Sequence, residues 1–220
     1  MALFSAPVIS SAAAPPVTAA FTASSTQNTG LTVYTYSSEA IGAADTNRKI
    51  VVTILAGGLT GRNVSTVTVG GISATLVKKQ LAVGGERYNE MWQADVPTGT
   101  TADVVVTWSA VMERCGIGIF AVYDAASAAS ATASDTSDPM NASINVPAEG
   151  VLIGGAIYNS AGGAATWTNL TESYETDSGG NVETSGYDTH ATIQTGLSVT
   201  CDPASAAAVT SMVLASWGPA

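Results

Sequence analysis

The sequence predicts an all-β protein: an antiparallel β-sandwich, jelly-roll-like in strand order, with an extended N-terminal arm. Three observations predict it. Short runs rich in Val, Thr, Ile and Tyr recur, with turn signals roughly every 8–15 residues. No stretch of about twelve residues carries a helical period outside one Ala-rich segment, 125–138, where Ser and Thr weaken the helix that Ala favours. Hydrophobic residues make up 46% of the 220, which excludes a disordered chain.

The elements follow in order. Residues 1–30 hold no charged residue and are punctuated by Pro7, Pro15 and Pro16, a composition that favours an extended segment. Its large apolar side chains, Leu3, Phe4, Val8, Ile9, Val17 and Phe21, are the candidate anchors of an arm lying along a neighbouring subunit. "LTVYTYS" (31–37) alternates, and "KIVVTILAG" (49–57) is almost wholly apolar, as a central strand buried on both faces would be. "VSTVTVGG" and "ISATLVKK" flank Gly70-Gly71, a two-residue hairpin turn in which positive φ costs little. "YNEMWQADV" runs through Pro97-Thr98-Gly99 into "DVVVTWS", which reads as a second hairpin, and "CGIGIFAVYD" follows. After 125–138 come "NASINV" and "GVLIGGAIYN", joined at Pro147-Ala148-Glu149 as a third hairpin. Strands around 165–175 and 186–193 and the closing "AVTSMVLASW" complete the set. The expected core contains Val51, Ile54, Val67, Val69, Leu76, Trp92, Val104, Val106, Trp108, Ile119, Ile153 and Val213. The domain reading is an arm over 1–30 and one sandwich over 31–220, with 125–138 as the point at which it would subdivide.

Charge is sparse, at 11% of residues, and unevenly placed. All seven Lys and Arg lie between Arg48 and Arg114, while Cys115 to Ala220 carries ten acids and no Lys or Arg, so the net charge of −10 belongs to the second half. Such a half repels nucleic acid and anionic lipid, and neither is an expected partner. Two cysteines, Cys115 and Cys201, make no disulfide framework, and a buried free thiol is expected at Cys115. The first residues lack the positive charge of a signal peptide and are too short a run to span a membrane. The expectation is synthesis in the cytoplasm.

Candidate chemistry is thin. Asp188 and His190 would share one face of a strand, but no G-x-S-x-G elbow supplies a nucleophile. A transition-metal cluster needs more His and Cys than one and two. Glu172, Glu175, Asp177, Asn181 and Glu183 are oxygen donors around a Gly-Gly turn, conceivable for calcium, yet their spacing fits no EF-hand loop. "GIGIF" lacks the third glycine of a dinucleotide fingerprint. The residues therefore predict no enzyme, no cofactor and no metal.

The stretch "NRKIVVTILAGG…VSTVTVGGISATLV…MWQADVPTGTTADVVVTW…CGIGIFAVYD", within 47–123, resembles β-sandwich proteins encoded in the structural modules of tailed bacteriophages. There, too, an apolar strand precedes a Gly-Gly hairpin, a Trp-containing strand, a P-x-G-T turn and a G-I-G-containing strand. The resemblance covers about a third of the chain and transfers no catalytic residue. It implies a virion protein that decorates or cements a capsid by binding the outer shell. Its partners would be the major capsid protein or other virion subunits, and it would form a homo-oligomer, with a trimer the simplest guess. The alternatives are a tail-fibre or head-fibre module recognising host-surface glycan and a carbohydrate-active β-sandwich enzyme.

Overall fold

The computed structural model describes residues 13–220. These residues form seventeen strands and no α-helix, with a single 3-10 turn at Ser160–Gly162. In the first half the strands are β1 (Thr18–Gln27), β2 (Leu31–Ala40), β3 (Arg48–Gly57), β4 (Val64–Val69), β5 (Ile72–Ser73), β6 (Thr75–Leu81), β7 (Arg87–Asp95), β8 (Thr101–Met112) and β9 (Arg114–Tyr123). The second half holds β10 (Ala131–Asp135), β11 (Met140–Val146), β12 (Gly150–Asn159), β13 (Ala165–Thr168), β14 (Thr171–Asp177), β15 (Asn181–His190), β16 (Gln194–Pro203) and β17 (Thr210–Trp217).

Every paired strand is antiparallel. The first half has a five-stranded sheet, β1-β9-β3-β7-β6, and a four-stranded one, β2-β8-β4-β5. The second has β10-β17-β12-β15-β14 and β11-β16-β13. The second order is the first order repeated without β5. Each half buries its own core between its two sheets, one around Tyr34, Ile54, Val106 and Trp108, the other around Leu152, Val199 and Leu214.

A third core lies between the halves. Val51, Met91, Phe120 and Val122 of the first five-stranded sheet meet Val151, Ile153, Val213, Ala215 and Trp217 of the second. This explains the near-continuous apolar runs of β3 and β12: one face serves the core of its own half and the other serves the seam. The four sheets form two pairs, one from each half of the chain. The 125–138 segment joins them, and it contributes β10 itself.

The sheets are related by an approximate two-fold axis. Thr53 of β3 pairs with Met91 and Gly118, and Gly155 of β12 pairs with Ser185 and Val213. Thr53 and Gly155 lie against one another across the seam: a Cβ at Gly155 would sit 3.2 Å from the Thr53 methyl carbon, closer than ordinary van der Waals contact. Strand β7 touches β12 as β15 touches β3. Residues 124–126 pair antiparallel with 218–220, one segment from the end of each half. Self-complementary pairing of this kind is the mark of a two-fold contact.

Three expectations need correction. Pro97-Thr98-Gly99 and Pro147-Ala148-Glu149 do reverse the chain, but they are arches between sheets rather than hairpins: β7 and β8 lie in different sheets, as do β11 and β12. Turn residues fix chain direction and leave the hydrogen-bond partner open. The arm expected over 1–30 contains β1, which pairs with β9 of its own chain from Thr18 to Gln27, with a bulge at Thr22. Leu76 is 47% exposed, because β6 is an edge strand whose register shifts between Leu76 and Lys78. The other expected core residues are buried. Gly70 and Gly71 turn as expected, with φ of 58° and 78°.

Candidate functional site

Several polar groups are buried in the seam and at its two ends. At the end where β1 enters, the Val17 amide donates to Glu149 O at 2.8 Å, so the start of the first half is tied to the second. Val17 is buried in the seam core. Phe21 is half-buried between Phe120 and Tyr174, its ring stacked on the tyrosine at 5.5 Å. Both anchors thus serve their own chain. Leu3, Phe4, Val8 and Ile9 lie outside the described residues. Pro16, Val17, Glu149 and His190 line a cavity of about 380 Å³ beside this entry point. The pseudo-equivalent segment before β10 crosses the first half in the same manner, with Gln93 Nε2 donating to Ser127 O at 2.7 Å.

Arg48 shows how charge is used here. It is fully buried, and its guanidinium donates to the carbonyls of Gly42, Ala43, Val96 and Thr98 at 2.7–2.9 Å. That fan of bonds ties the loop before β3 to the arch between β7 and β8. Five donors in a fixed plane suit a guanidinium to this task.

In the middle of the seam, Asn89 Nδ2 donates to Gly155 O at 2.7 Å and to Ser211 O at 2.9 Å. The hydroxyls of Thr53 and Ser185 bond across the seam at 3.0 Å. Towards the far end lie Glu183, fully buried, and Ser178, whose hydroxyl donates to Glu183 Oε1 at 2.6 Å. The other carboxyl oxygen of Glu183 has no hydrogen-bond partner. Burial pushes this carboxyl up to about 8, opposed by the Ser178 hydrogen bond and the Arg114 charge.

The structure does not assemble the oxygen donors considered for calcium. Glu172 accepts from Thr184, Glu175 from Tyr158 and the Ala165 amide, and Asp177 from the Gly180 amide. Asn181 and Glu183 point into the seam instead, and no metal-holding group of three is found among the described residues. Asp188 and His190 do not bond to each other: Asp188 faces the Thr171 hydroxyl at 3.5 Å, and His190 Nε2 is buried without a partner. Cys115 and Cys201 are free and buried in different cores, where desolvation raises both thiols.

Sequence reasoning missed the seam residues Asn89, Ser178 and Glu183 as a group. No signal in the sequence joined them, because the strands that carry Asn89 and Glu183 belong to different halves. Compared with protein-family models, curated proteins and solved structures, the chain matches none.

Proposed function

We propose that this chain is a structural subunit of a tailed-bacteriophage virion that decorates or cements the capsid by binding its outer shell. Each half is read as a jelly roll: the order β1-β9-β3-β7 facing β2-β8-β4-β5 recurs as β10-β17-β12-β15 facing β11-β16-β13. The observation that carries the proposal is the use of polar groups. Arg48, Asn89, Thr53 and Ser185 are spent on holding loops and sheets to one another, as a load-resistant block requires. The sparse surface charge supports the same reading, because a subunit packed among neighbours avoids the desolvation of charged groups.

Attachment is assigned to residues 1–12, which are uncharged and carry Leu3, Phe4, Val8 and Ile9. They join the fold beside the Glu149 and His190 cavity, where residues 13–16 are exposed. An extended segment adding to a neighbour's sheet edge gains backbone hydrogen bonds while its apolar side chains fill pockets. The neighbour is the major capsid protein, reached by a trimer of this chain.

The test is reconstitution on particles stripped of this subunit, comparing the full chain with a variant lacking residues 2–12. Binding of the full chain should saturate at on the order of hundreds of copies, following the shell's repeated symmetry. The truncated protein should keep its melting transition and fail to bind. Equal saturation by both proteins overturns the attachment, and saturation at a small multiple of three or six favours the fibre reading.

A further inference from the structure

The approximate two-fold axis places Glu183 and Asn89 at equivalent positions. Leu55 pairs with Asn89 and Gly116, and Ile157 pairs with Glu183 and Ser211, two residues along from the Thr53 and Gly155 pair that marks the axis. Asn89 reaches across to Gly155 and Ser211, the residues equivalent to Thr53 and Gly116. Glu183 points back towards Gly116, where its Oε2 leaves no room for a Cβ and has no hydrogen-bond partner. One half thus presents a neutral amide to its neighbour's backbone, and the other presents a carboxyl at the same place.

We propose that Glu183 is a proton-operated latch on the seam: it carries a proton when the halves are docked, and its ionisation loosens the contact between β9 and β15. A protonated carboxyl resembles the Asn89 amide in carrying both a donor and an acceptor. An ionised one has acceptors only and would leave an unpaired charge in a dry contact. The surroundings offer little relief. On β9, Arg114 is directed to Ser178 O at 3.4 Å and to Glu113 at 3.3 Å, and its neighbour there is the buried Cys115. β14 brings Tyr174 and Asp177, the latter opposing ionisation; Tyr36 of β2 lies within reach of the same charge. β3 and β12 bring Thr53, Leu55 and Ile157, and β7 brings Arg87, whose charge is engaged by Glu86 at 3.5 Å.

The direction of the pH effect follows. The folded carboxyl holds its proton up to about 8, against an ordinary value of 4.5. Between those values the folded state binds more protons than the unfolded one, so stability falls as pH rises through that window and levels off above it. The experiment is calorimetric melting of the full chain and of Glu183→Gln across this range, with carboxyl-carbon NMR of the parent protein. The parent's melting temperature should fall by several degrees towards alkaline pH, while Glu183→Gln should fall much less and melt higher at the alkaline end. In the NMR titration one glutamate should change charge near pH 8. Parallel melting profiles overturn the latch. So does a spectrum in which every glutamate is ionised by pH 6, a readout that stands even if the variant fails to fold.

Discussion

The two halves of the molecule share one strand order and fill it differently. The first core is aromatic: Tyr34, Tyr36, Tyr88, Trp92 and Trp108 are all buried, and the hydroxyls of Tyr34 and Tyr36 donate to Met112 O and Cys115 O. The second is mainly aliphatic, built on Met140, Ile144, Leu152, Val199 and Leu214. One detail shows how far the exchange goes. In the first half Trp92 reaches in from β7, and its Nε1 donates to Glu90 Oε2 at 2.9 Å. The position equivalent to Trp92 is Gly186, and Trp167 enters from the opposite sheet instead, packing near Gly154. Its Nε1 donates to Thr184 Oγ1 at 3.0 Å, and Thr184 is the equivalent of Glu90. The indole changes sheets while its hydrogen-bond partner stays in place. A strand order therefore tolerates different fillings provided that volume and polar groups are both satisfied.

The comparison can be broken most forcefully at Val106, buried on β8 in the centre of the first core. Val106→Asp places an unpaired carboxylate there and should cost about 4–5 kcal/mol or more, enough to unfold a domain of ordinary stability. Losing the first half also strips the cover from Val151, Ile153, Val213 and Trp217 on the seam face of the second. The expected outcome is loss of strand signal from both halves together, seen by circular dichroism. Retention of about half the signal would mean that the second half stands alone and that the seam is incidental.

Much of this was legible in the sequence, for reasons that particular residues make plain. The period-two run fixed the buried face of β8, and Gly70-Gly71 fixed one true hairpin; in β2 the alternation left the face open, and the structure buries Tyr34 and Tyr36 and exposes Val33. The unbroken apolar run in β3 announced two-sided burial. The sequence did not announce what covers the second face, because an apolar run looks the same against a home sheet or another half. The repeat was also hidden: β5 is missing from the second half, and Trp92 and Gly186 occupy equivalent places. The arches at Pro97 and Pro147 read as hairpins because a turn carries no record of which sheet receives the next strand. The seam pair Asn89 and Glu183 lay beyond reach for the same reason, since each becomes meaningful only when the halves are stacked.

Trp217 sharpens the comparison from the other direction, because it belongs to the seam and to neither home core. It is fully buried, and its Nε1 donates across the seam to Gln93 Oε1 at 2.9 Å. Trp217→Ala should cost about 3–5 kcal/mol through lost contact and the cavity left behind. Gln93 would also lose a partner. The variant should still melt, at a lower temperature and in denaturant at a lower midpoint with an unchanged slope. A cost below about 1 kcal/mol would place the stability of the chain in the two home cores alone.

The smallest effect is expected at Leu76, where the sequence and the structure part company. The alternation in "ISATLVKK" puts Leu76 on a buried face, and an extended strand without interruption would keep it there. The register shift between Leu76 and Lys78 breaks that alternation. A bulge of this kind adds a residue to one strand and re-aims the side chains around it. Here it turns Val77 towards the seam core, where it packs with the residues around Met91, and leaves Leu76 largely in solvent. Leu76→Ala should therefore change stability by less than about 0.5 kcal/mol, within the range of surface substitutions. Chemical denaturation of the two proteins side by side checks it. A loss of about 2 kcal/mol or more, the range of a buried leucine, would mean that β6 runs without the bulge and that Leu76 faces the first core after all.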